Sequence, residues 1–166
     1  MAVLPDVLRP GLRIVFCGTG AGRRSAEVGA YYAKPGNRFW PTLHAVGLTP
    51  RQFDPHDFAT VIDHGIGLTD VAKAHVGQDS DLVVTDADIA DLAMRIGAVS
   101  PRYLAFTSKK AASLFLKRPT GRLSYGLQAA TLGATGLIVL PSPSGLATSY
   151  WTIEPWREAA RLARAG

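Results

Sequence analysis

A glycine-rich loop at residues 16–22, FCGTGAG, has the residue types best suited to holding a ligand close to the backbone. Glycines carry no side chain, so backbone amides in such a loop can approach a bound group. The spacing is neither GxGxxG nor that of a P-loop with its Lys, which argues against the common nucleotide-binding motifs. Taken alone, the loop is best interpreted as a tight turn from a strand into a helix.

Two further segments have unusual compositions. Residues 31–40, YYAKPGNRFW, place two aromatic residues before a Pro-Gly turn and two after it. Residues 140–148, LPSPSGLAT, place Leu146 next to a glycine at the end of a proline-rich turn. In the simplest interpretation, Phe39 and Trp40 begin the core face of a helix, and Leu146 is a half-buried turn residue.

Short apolar runs predict the strands that must position these segments. Runs at residues 12–17, 103–107 and 136–140 have the length and flanking turn residues of buried strands, and residues 129–132 add a fourth. The intervening patterns predict helices at residues 38–46, 55–63, 86–98, 109–117 and 153–163. This alternation predicts an α/β fold, a three-layer αβα sandwich with a central, mostly parallel four-stranded sheet.

The candidate segments follow the predicted strands. In open parallel sheets, ligands bind beyond the carboxyl ends of the strands. The glycine loop follows the first strand, Ser108 and Lys109 follow the second, and residues 141–146 follow the last. We therefore expect them to converge on one site. Residues 65–81 are predicted to form a loop flanking it.

The composition favours a single domain spanning residues 1–166. Its 18 Lys and Arg against 13 Asp and Glu give a net charge of +5, which suits an anionic partner, although a solubilising surface is the simpler interpretation of charge alone. Cys17 is the only cysteine, which excludes an internal disulfide and fits a reducing cytoplasm. With no signal-peptide pattern, no membrane-length apolar run and no metal-ligand spacing, we expect neither a membrane nor a metal partner.

Together, the glycine loop, the aromatic block and the proline-rich turn resemble motifs of the uracil-DNA glycosylase superfamily, nearest its mismatch-specific uracil/thymine branch. The resemblance runs from Leu8 to about Thr148. It implies a monomeric, cytoplasmic DNA repair enzyme that flips uracil out of DNA and hydrolyses the N-glycosidic bond, leaving an abasic site without any cofactor. The aromatic block also resembles the hypoxanthine branch, so hypoxanthine and xanthine stay open as substrates.

The resemblance also implies roles for individual residues. Tyr32 matches the aromatic residue that stacks on the extruded base, and Thr19 and Gly20 would present backbone amides to a carbonyl oxygen of that base. Asn37 and Ser142 would line the same pocket. Leu146 matches the wedge that enters the duplex where the base has left, and further DNA contacts are implied for Arg23, Ser25, Lys109, Ser144 and Gly145.

The sequence departs from the family at the catalytic position of the first motif, where Gly20 replaces Asn. Gly20 cannot orient a water molecule, so another group must do so. The best substitute is Asp70 in residues 65–71, GIGLTDV, whose carboxylate could position or deprotonate water and offset positive charge on the sugar. A turn or helix-capping role for Asp70 is equally consistent with the sequence.

Two other functions remain open at this point. A binding protein could retain the fold and the base pocket while lacking catalysis, because the Asn is missing. A nucleotide-binding or transferase domain of α/β type would explain the glycine loop alone, but neither the aromatic block nor the proline-rich turn.

Overall fold

The computed structural model describes residues 2–77 and 81–165. Within them, five strands form one sheet: β1 (Ile14–Gly18), β2 (Ile66–Asp70), β3 (Tyr103–Phe106), β4 (Gly126–Leu132) and β5 (Thr135–Val139). Their order across the sheet is β2-β1-β3-β5-β4. Four of these strands are parallel, and β4 pairs antiparallel with β5. The mostly parallel sheet of an α/β fold is therefore confirmed.

Helices connect the parallel strands and cover both faces of the sheet, whereas β4 and β5 are joined by a short turn. The described residues form α1 (Arg23–Val28), α2 (Phe39–Ala45), a 3₁₀ helix (Pro55–His64), α3 (Asp86–Val99), α4 (Lys109–Leu116) and α5 (Glu154–Arg164). The five predicted helices each agree with the structure to within one residue at either end, and α1 is an additional short helix directly after the glycine loop. None of the helices in residues 2–77 and 81–165 has the length and apolarity needed to cross a bilayer.

Two hydrophobic clusters, one on each face of the sheet, form the core. On β1, Ile14 and Phe16 lie in the cluster that contains side chains of α2, the 3₁₀ helix and α5. Val15 and Cys17 lie in the cluster that contains side chains of α3 and α4. Successive side chains of a strand point to opposite faces, so β1 contributes to both clusters. The result is the predicted three-layer sandwich. Cys17 is buried within it, and this burial raises the pKa of the thiol, so Cys17 is a packing residue.

The sheet has five strands rather than the predicted four. β2 lies at the start of residues 65–81, which were predicted to be a loop; residues 78–80 of that segment are outside the described residues. A Cβ at Gly67 would lie 2.6 Å from the Val7 carbonyl oxygen and 2.8 Å from a Leu12 methyl carbon. Val7 pairs antiparallel with Leu68 on the outer side of β2. Close packing by distant residues, rather than a long apolar run, makes this segment a buried strand.

The register of the parallel strands brings their carboxyl ends to one edge of the sheet. Gly18 of β1 pairs with Asp70 of β2. Cys17 pairs with Phe106 of β3, and Phe106 pairs in turn with Val139 of β5. The loops after these four strands therefore begin side by side, at the edge where open parallel sheets bind their ligands.

Candidate active site

A cavity of about 920 Å³ opens at this edge of the sheet. Ten of the twelve residues given a role by the sequence line it: Thr19, Gly20, Arg23, Ser25, Tyr32, Asn37, Asp70, Ser142, Ser144 and Leu146. The other two, Lys109 and Gly145, are not among the lining residues. The loops after β1, β2, β3 and β5 thus meet around one cavity, as their order along the chain predicts.

The glycine loop is anchored along one side by the segment that follows β2. The carbonyl oxygen of Gly18 accepts a hydrogen bond from the Val71 amide at 2.9 Å, and that of Thr19 accepts one from the Ala72 amide at 2.8 Å. Further along, the Ala21 carbonyl oxygen accepts from the Gly77 amide at 3.0 Å. These bonds extend the pairing of β1 and β2 beyond the sheet and fix the loop as a wall of the cavity.

Gly18 allows three polar side chains to converge at the inner end of the cavity. A Cβ at this position would lie 2.9 Å from Asp70 Oδ1, 3.3 Å from the Tyr32 hydroxyl and 3.6 Å from Thr107 Oγ1. Real Cβ atoms essentially never come within 3.0 Å of such a neighbour. Any larger residue at position 18 would displace Asp70, so the first glycine of the loop serves the site directly.

Gly20 lies against a different neighbour, His75. A Cβ at position 20 would lie 3.0 Å from the imidazole Cδ2 of His75 and 3.2 Å from the carbonyl oxygen of Ala72. A side chain at position 20 therefore requires His75 or the Ala72 carbonyl to shift by a few tenths of an ångström. The Asn that the resemblance implies at this position would therefore meet the segment after β2 with its first side-chain atom.

Asp70 ends β2 and is only 4% exposed, yet it lines the cavity. Burial is the main cause that raises the pKa of its carboxyl from 3.8 to about 6, because a charge is poorly solvated there. Lys73 opposes this effect, with its Nζ 3.9 Å from Asp70 Oδ2, and Arg95 opposes it further, whereas Asp6 adds to the rise. Asp70 is therefore mainly ionised at neutral pH and can still accept a proton, which suits a general base.

Tyr32 is held rigidly in a left-handed backbone conformation, with φ of 52°. Its ring stacks on Phe39, with the centroids 3.9 Å apart and the planes 17° from parallel. Its hydroxyl lies 3.1 Å from Thr107 Oγ1, and burial raises the pKa of the phenol. Phe39 and Trp40 are buried core residues, as predicted. Tyr32 is thus a fixed aromatic surface backed by the core and lining the cavity.

Three polar side chains of the lining bond to nearby backbone groups. Asn37 Oδ1 accepts a hydrogen bond from the Phe39 amide at 2.9 Å, at the start of α2. Ser25 Oγ accepts from the Ala33 amide at 3.1 Å, and Ser142 Oγ accepts from the Ser144 amide at 3.2 Å. Each of them shapes a loop of the cavity, in addition to any contact with a ligand.

The proline-rich turn carries Leu146 at the mouth of the cavity, where its side chain is 75% exposed. Arg38 ties this turn to the aromatic block: its amide donates to the Pro143 carbonyl oxygen at 2.8 Å, and its Nη1 donates to that of Ser144 at 3.1 Å. A Cβ at Gly145 would lie 3.1 Å from the Gly36 carbonyl oxygen. Gly145 therefore packs against the backbone of Gly36 and does not line the cavity.

Basic residues surround the same opening. Arg23 at the start of α1 lines it, and Lys110 of α4 lines it in place of the expected Lys109. The Lys109 Nζ lies instead 4.7 Å from the centre of the Tyr125 ring. Ser108 caps α4 by accepting a hydrogen bond from the Ala111 amide at 3.0 Å. The rim of the cavity is thus suited to an anionic ligand.

Comparison with known proteins agrees with this geometry. The family model described as the uracil DNA glycosylase superfamily matches residues 5–164. The chain belongs to this superfamily. The solution NMR structure of a candidate uracil DNA glycosylase from Methanosarcina acetivorans is similar to the whole fold, with a TM-score of 0.63 and 26% sequence identity over 96% of this chain and 94% of that one. Membership of the superfamily supports a general role as a DNA glycosylase that binds DNA.

The chemistry available to this superfamily member comes from a carboxylate, hydroxyl groups and the backbone. Asp70 can exchange a proton, and Tyr32 and Thr107 offer hydroxyl groups beside it. Within residues 2–77 and 81–165, no group of three or more His, Cys, Asp or Glu side chains is arranged to hold a metal ion. A buried carboxylate of this kind can activate a water molecule, which is one requirement of a hydrolytic reaction.

Sequence reasoning missed several residues of this candidate site. Lys109 was predicted instead of Lys110, because neighbouring residues of a helix point in different directions and the sequence does not show which of the two faces the cavity. Lys73 and Asp6 were missed because they meet Asp70 only through the fold. The charge of Lys73, three residues after Asp70, was the available signal for the first of them.

Proposed function

We propose that the protein is a monofunctional uracil-DNA glycosylase that uses Asp70 in place of the Asn of the first motif. The observation that carries this proposal is a buried carboxylate at the inner end of the cavity, with Gly18 leaving room for it beside Tyr32. Its pKa of about 6 suits proton transfer near neutral pH. The extruded uracil would lie between the glycine loop and Tyr32.

Hydrolysis breaks the bond between the sugar C1′ and the base nitrogen. Positive charge develops on the sugar and negative charge on the leaving base. The ionised Asp70 would orient water towards C1′, offset the positive charge and accept the proton that the water loses as its oxygen bonds to C1′. Backbone amides at Thr19 and Gly20 would stabilise the negative oxygen of the leaving base. Asp70 would then pass this proton to the departing uracil anion, which restores the carboxylate and leaves free uracil and an abasic site as products.

The remaining residues would hold the DNA. Tyr32, backed by Phe39, would stack on the flipped base, and Leu146 would fill the gap left in the duplex. Arg23 and Lys110 at the rim would contact phosphates. Lys73 is paired with Asp6 and is not among the lining residues of the cavity, which argues against Lys73 as a Schiff-base nucleophile.

The test is excision from labelled oligonucleotides that carry one uracil, either single-stranded or paired with G or A, followed by alkali to cleave abasic sites. Parallel substrates would carry hypoxanthine and xanthine. Asp70→Asn and Asp63→Asn form a matched pair, because Asp63 is an exposed carboxylate at the end of the 3₁₀ helix. We expect uracil excision by the wild type and Asp63→Asn, and a large loss in Asp70→Asn.

Other outcomes of this experiment would identify the alternatives. Cleavage confined to hypoxanthine or xanthine would assign the site to deaminated purines. An absence of cleavage, with uracil-containing DNA still retarded on a native gel, would mean a damaged-base-binding protein on the same fold. Equal excision by Asp70→Asn and the wild type would remove Asp70 from the mechanism.

A further inference from the structure

Lys73 is not among the residues that line the cavity, and its side chain makes three polar contacts close to Asp70. Its Nζ lies 2.8 Å from Asp6 Oδ1, 3.0 Å from the Tyr31 hydroxyl and 3.9 Å from Asp70 Oδ2. The Lys73 side chain is 15% exposed and that of Asp6 is 20% exposed. Opposite charges at this depth interact more strongly than at the surface, because water screens them less.

Asp6 is brought to Lys73 by the N-terminal segment, which is hydrogen-bonded to the strand that carries Asp70. The Val3 amide donates to the Lys73 carbonyl oxygen at 2.8 Å. Val7 and Leu68 exchange two backbone hydrogen bonds of 2.9 and 3.0 Å. The Tyr31 hydroxyl also donates to the Pro5 carbonyl oxygen at 3.0 Å. Lys73 is therefore held by partners that are themselves fixed.

Asp6 is further paired with Arg95 of α3. Its Oδ2 lies 2.9 Å from Arg95 Nη1, and its Oδ1 accepts a hydrogen bond from Thr69 Oγ1 at 2.7 Å. Arg95 also donates to the backbone carbonyl oxygen of Asp70 at 3.2 Å and bonds to Asp91 at 2.7 Å. The negative charge of Asp6 is thus shared between two cations, which leaves part of the field of Lys73 to act on Asp70.

The separation of Lys73 from Asp70 is suited to catalysis. A hydrogen bond between nitrogen and oxygen needs about 2.7 to 3.2 Å, and 3.9 Å is longer than that. Lys73 can favour the ionised carboxylate through its charge, while the carboxylate oxygens stay available for water. A direct ion pair would stabilise the charge more strongly but would occupy an oxygen that the reaction needs.

We propose that Lys73, fixed by Asp6 and Tyr31, is a positioning residue that keeps the Asp70 carboxylate ionised at neutral pH without hydrogen bonding to it. This inference rests on the proposed role of Asp70. The charges around Asp70 have opposing effects on its carboxyl group. Lys73 and Arg95 favour the ionised form, whereas Asp6 and the burial of the side chain oppose it. The uncharged side chains of Tyr31, Tyr32, Cys17 and Thr107 also lie near Asp70.

The first test is the pH dependence of excision in Lys73→Met. An opposite charge at this range typically lowers a carboxyl pKa by ~1 to 3. Removing it should move the acid limb of the profile up by about one pH unit, so that excision at pH 5 falls roughly tenfold and the alkaline plateau is unchanged. Lys73→Arg should restore the limb. Lys117→Met, at a lysine 68% exposed on the far end of α4, is the control and should leave the profile unchanged.

The second test does not need activity. Carbon-13 NMR would follow the titration of the Asp70 carboxyl, with its signal identified by its loss in Asp70→Asn. We expect the midpoint to move to higher pH in Lys73→Met, and the same midpoint in both proteins would overturn the inference. If Lys73→Met does not fold, Lys73→Gln retains a donor for Asp6 without the charge. Because this titration is measured without DNA, failure of the proposed function would not hide its outcome.

Discussion

At the inner end of the cavity, Asp70 is 4% exposed and lies among side chains that are each fixed by a neighbour, whereas at the mouth Leu146 is 75% exposed. The inner end is built from strand ends and close contacts, such as the one at Gly18. The mouth is built from turns and basic residues. A reacting group benefits from fixed neighbours and little water, while a surface that grips a duplex must be accessible. Under the proposed function, the inner end would carry out the reaction and the mouth would hold the DNA.

Asp70→Asn should cause the largest loss of excision, and it should leave DNA binding at the mouth of the cavity unchanged. We expect excision to fall by ~10²- to 10⁴-fold, the range of a general base, while binding to uracil-containing DNA is retained. Single-turnover excision and a native gel shift on the same substrate measure the two quantities. Loss of both together would contradict the separation between chemistry and binding.

The same substitution should also make the protein more stable above pH 6. Burial raises the pKa of Asp70 from 3.8 to about 6, so the folded state binds this proton more tightly than the unfolded state. The free energy of unfolding therefore falls as the pH rises from about 4 to 6 and stays lower above that, by on the order of 3 kcal/mol. Thermal unfolding should give Asp70→Asn the higher Tm at pH 8 and little difference at pH 4. A lower Tm at pH 8 would mean that the charge itself stabilises the fold.

Tyr32→Ala should have the next largest effect, because Tyr32 connects the two ends of the cavity. Loss of stacking on the base should weaken binding of uracil-containing DNA by ~1 to 3 kcal/mol. Affinity measured in an Asp70→Asn background avoids turnover. Tyr32→Phe keeps the ring and loses only the hydroxyl contact with Thr107, so it should bind nearly as well as the parent. Equal affinity for Tyr32→Ala would remove this residue from the base pocket.

Leu146→Ala should affect the mouth alone. The side chain is exposed, so the Tm should not change, but kcat/KM on duplex substrate should fall on the order of tenfold, a fraction of the few kcal/mol that unstacking costs. Single-stranded substrate needs no wedge and serves as the comparison. A similar loss on both substrates would indicate that Leu146 acts on the base rather than on the duplex.

Gly20→Asn should produce the smallest change in excision. The new Cβ would meet His75 at 3.0 Å and the Ala72 carbonyl oxygen at 3.2 Å, so the Asn side chain should displace the segment after β2. We expect no gain in excision and a loss of ~1 to 3 kcal/mol of stability, as for other overpacked positions. Higher activity in this variant would show that the first motif is still able to host the family residue.

The sequence predicted most of the parallel sheet, because three of its strands are continuous apolar runs between turn residues. It missed β2, where Gly67, Thr69 and Asp70 interrupt the pattern. That strand is determined by partners far along the chain, namely β1 and Val7. Local patterns cannot show such packing, so this part of the fold could not be predicted.

The residues of the candidate site were likewise predicted only in part. Tyr32, Leu146 and the glycine loop belong to short motifs and were predicted to meet, as they do around the cavity. Asp6 could not be assigned a role, because it reaches Lys73 only once the N-terminal segment pairs with β2. Residues that contact a ligand often lie in short sequence motifs. Residues that alter the charge or pKa of those residues are brought near them only by the folded structure.

The close approach of Gly145 to the Gly36 carbonyl oxygen has a consequence for protein engineering. The aromatic block and the proline-rich turn fit together backbone against backbone, and Arg38 bonds to both sides of that fit. A chimera that takes only one of these loops from a relative would disrupt this close contact between the two backbones. An exchange with a relative should therefore replace both loops together.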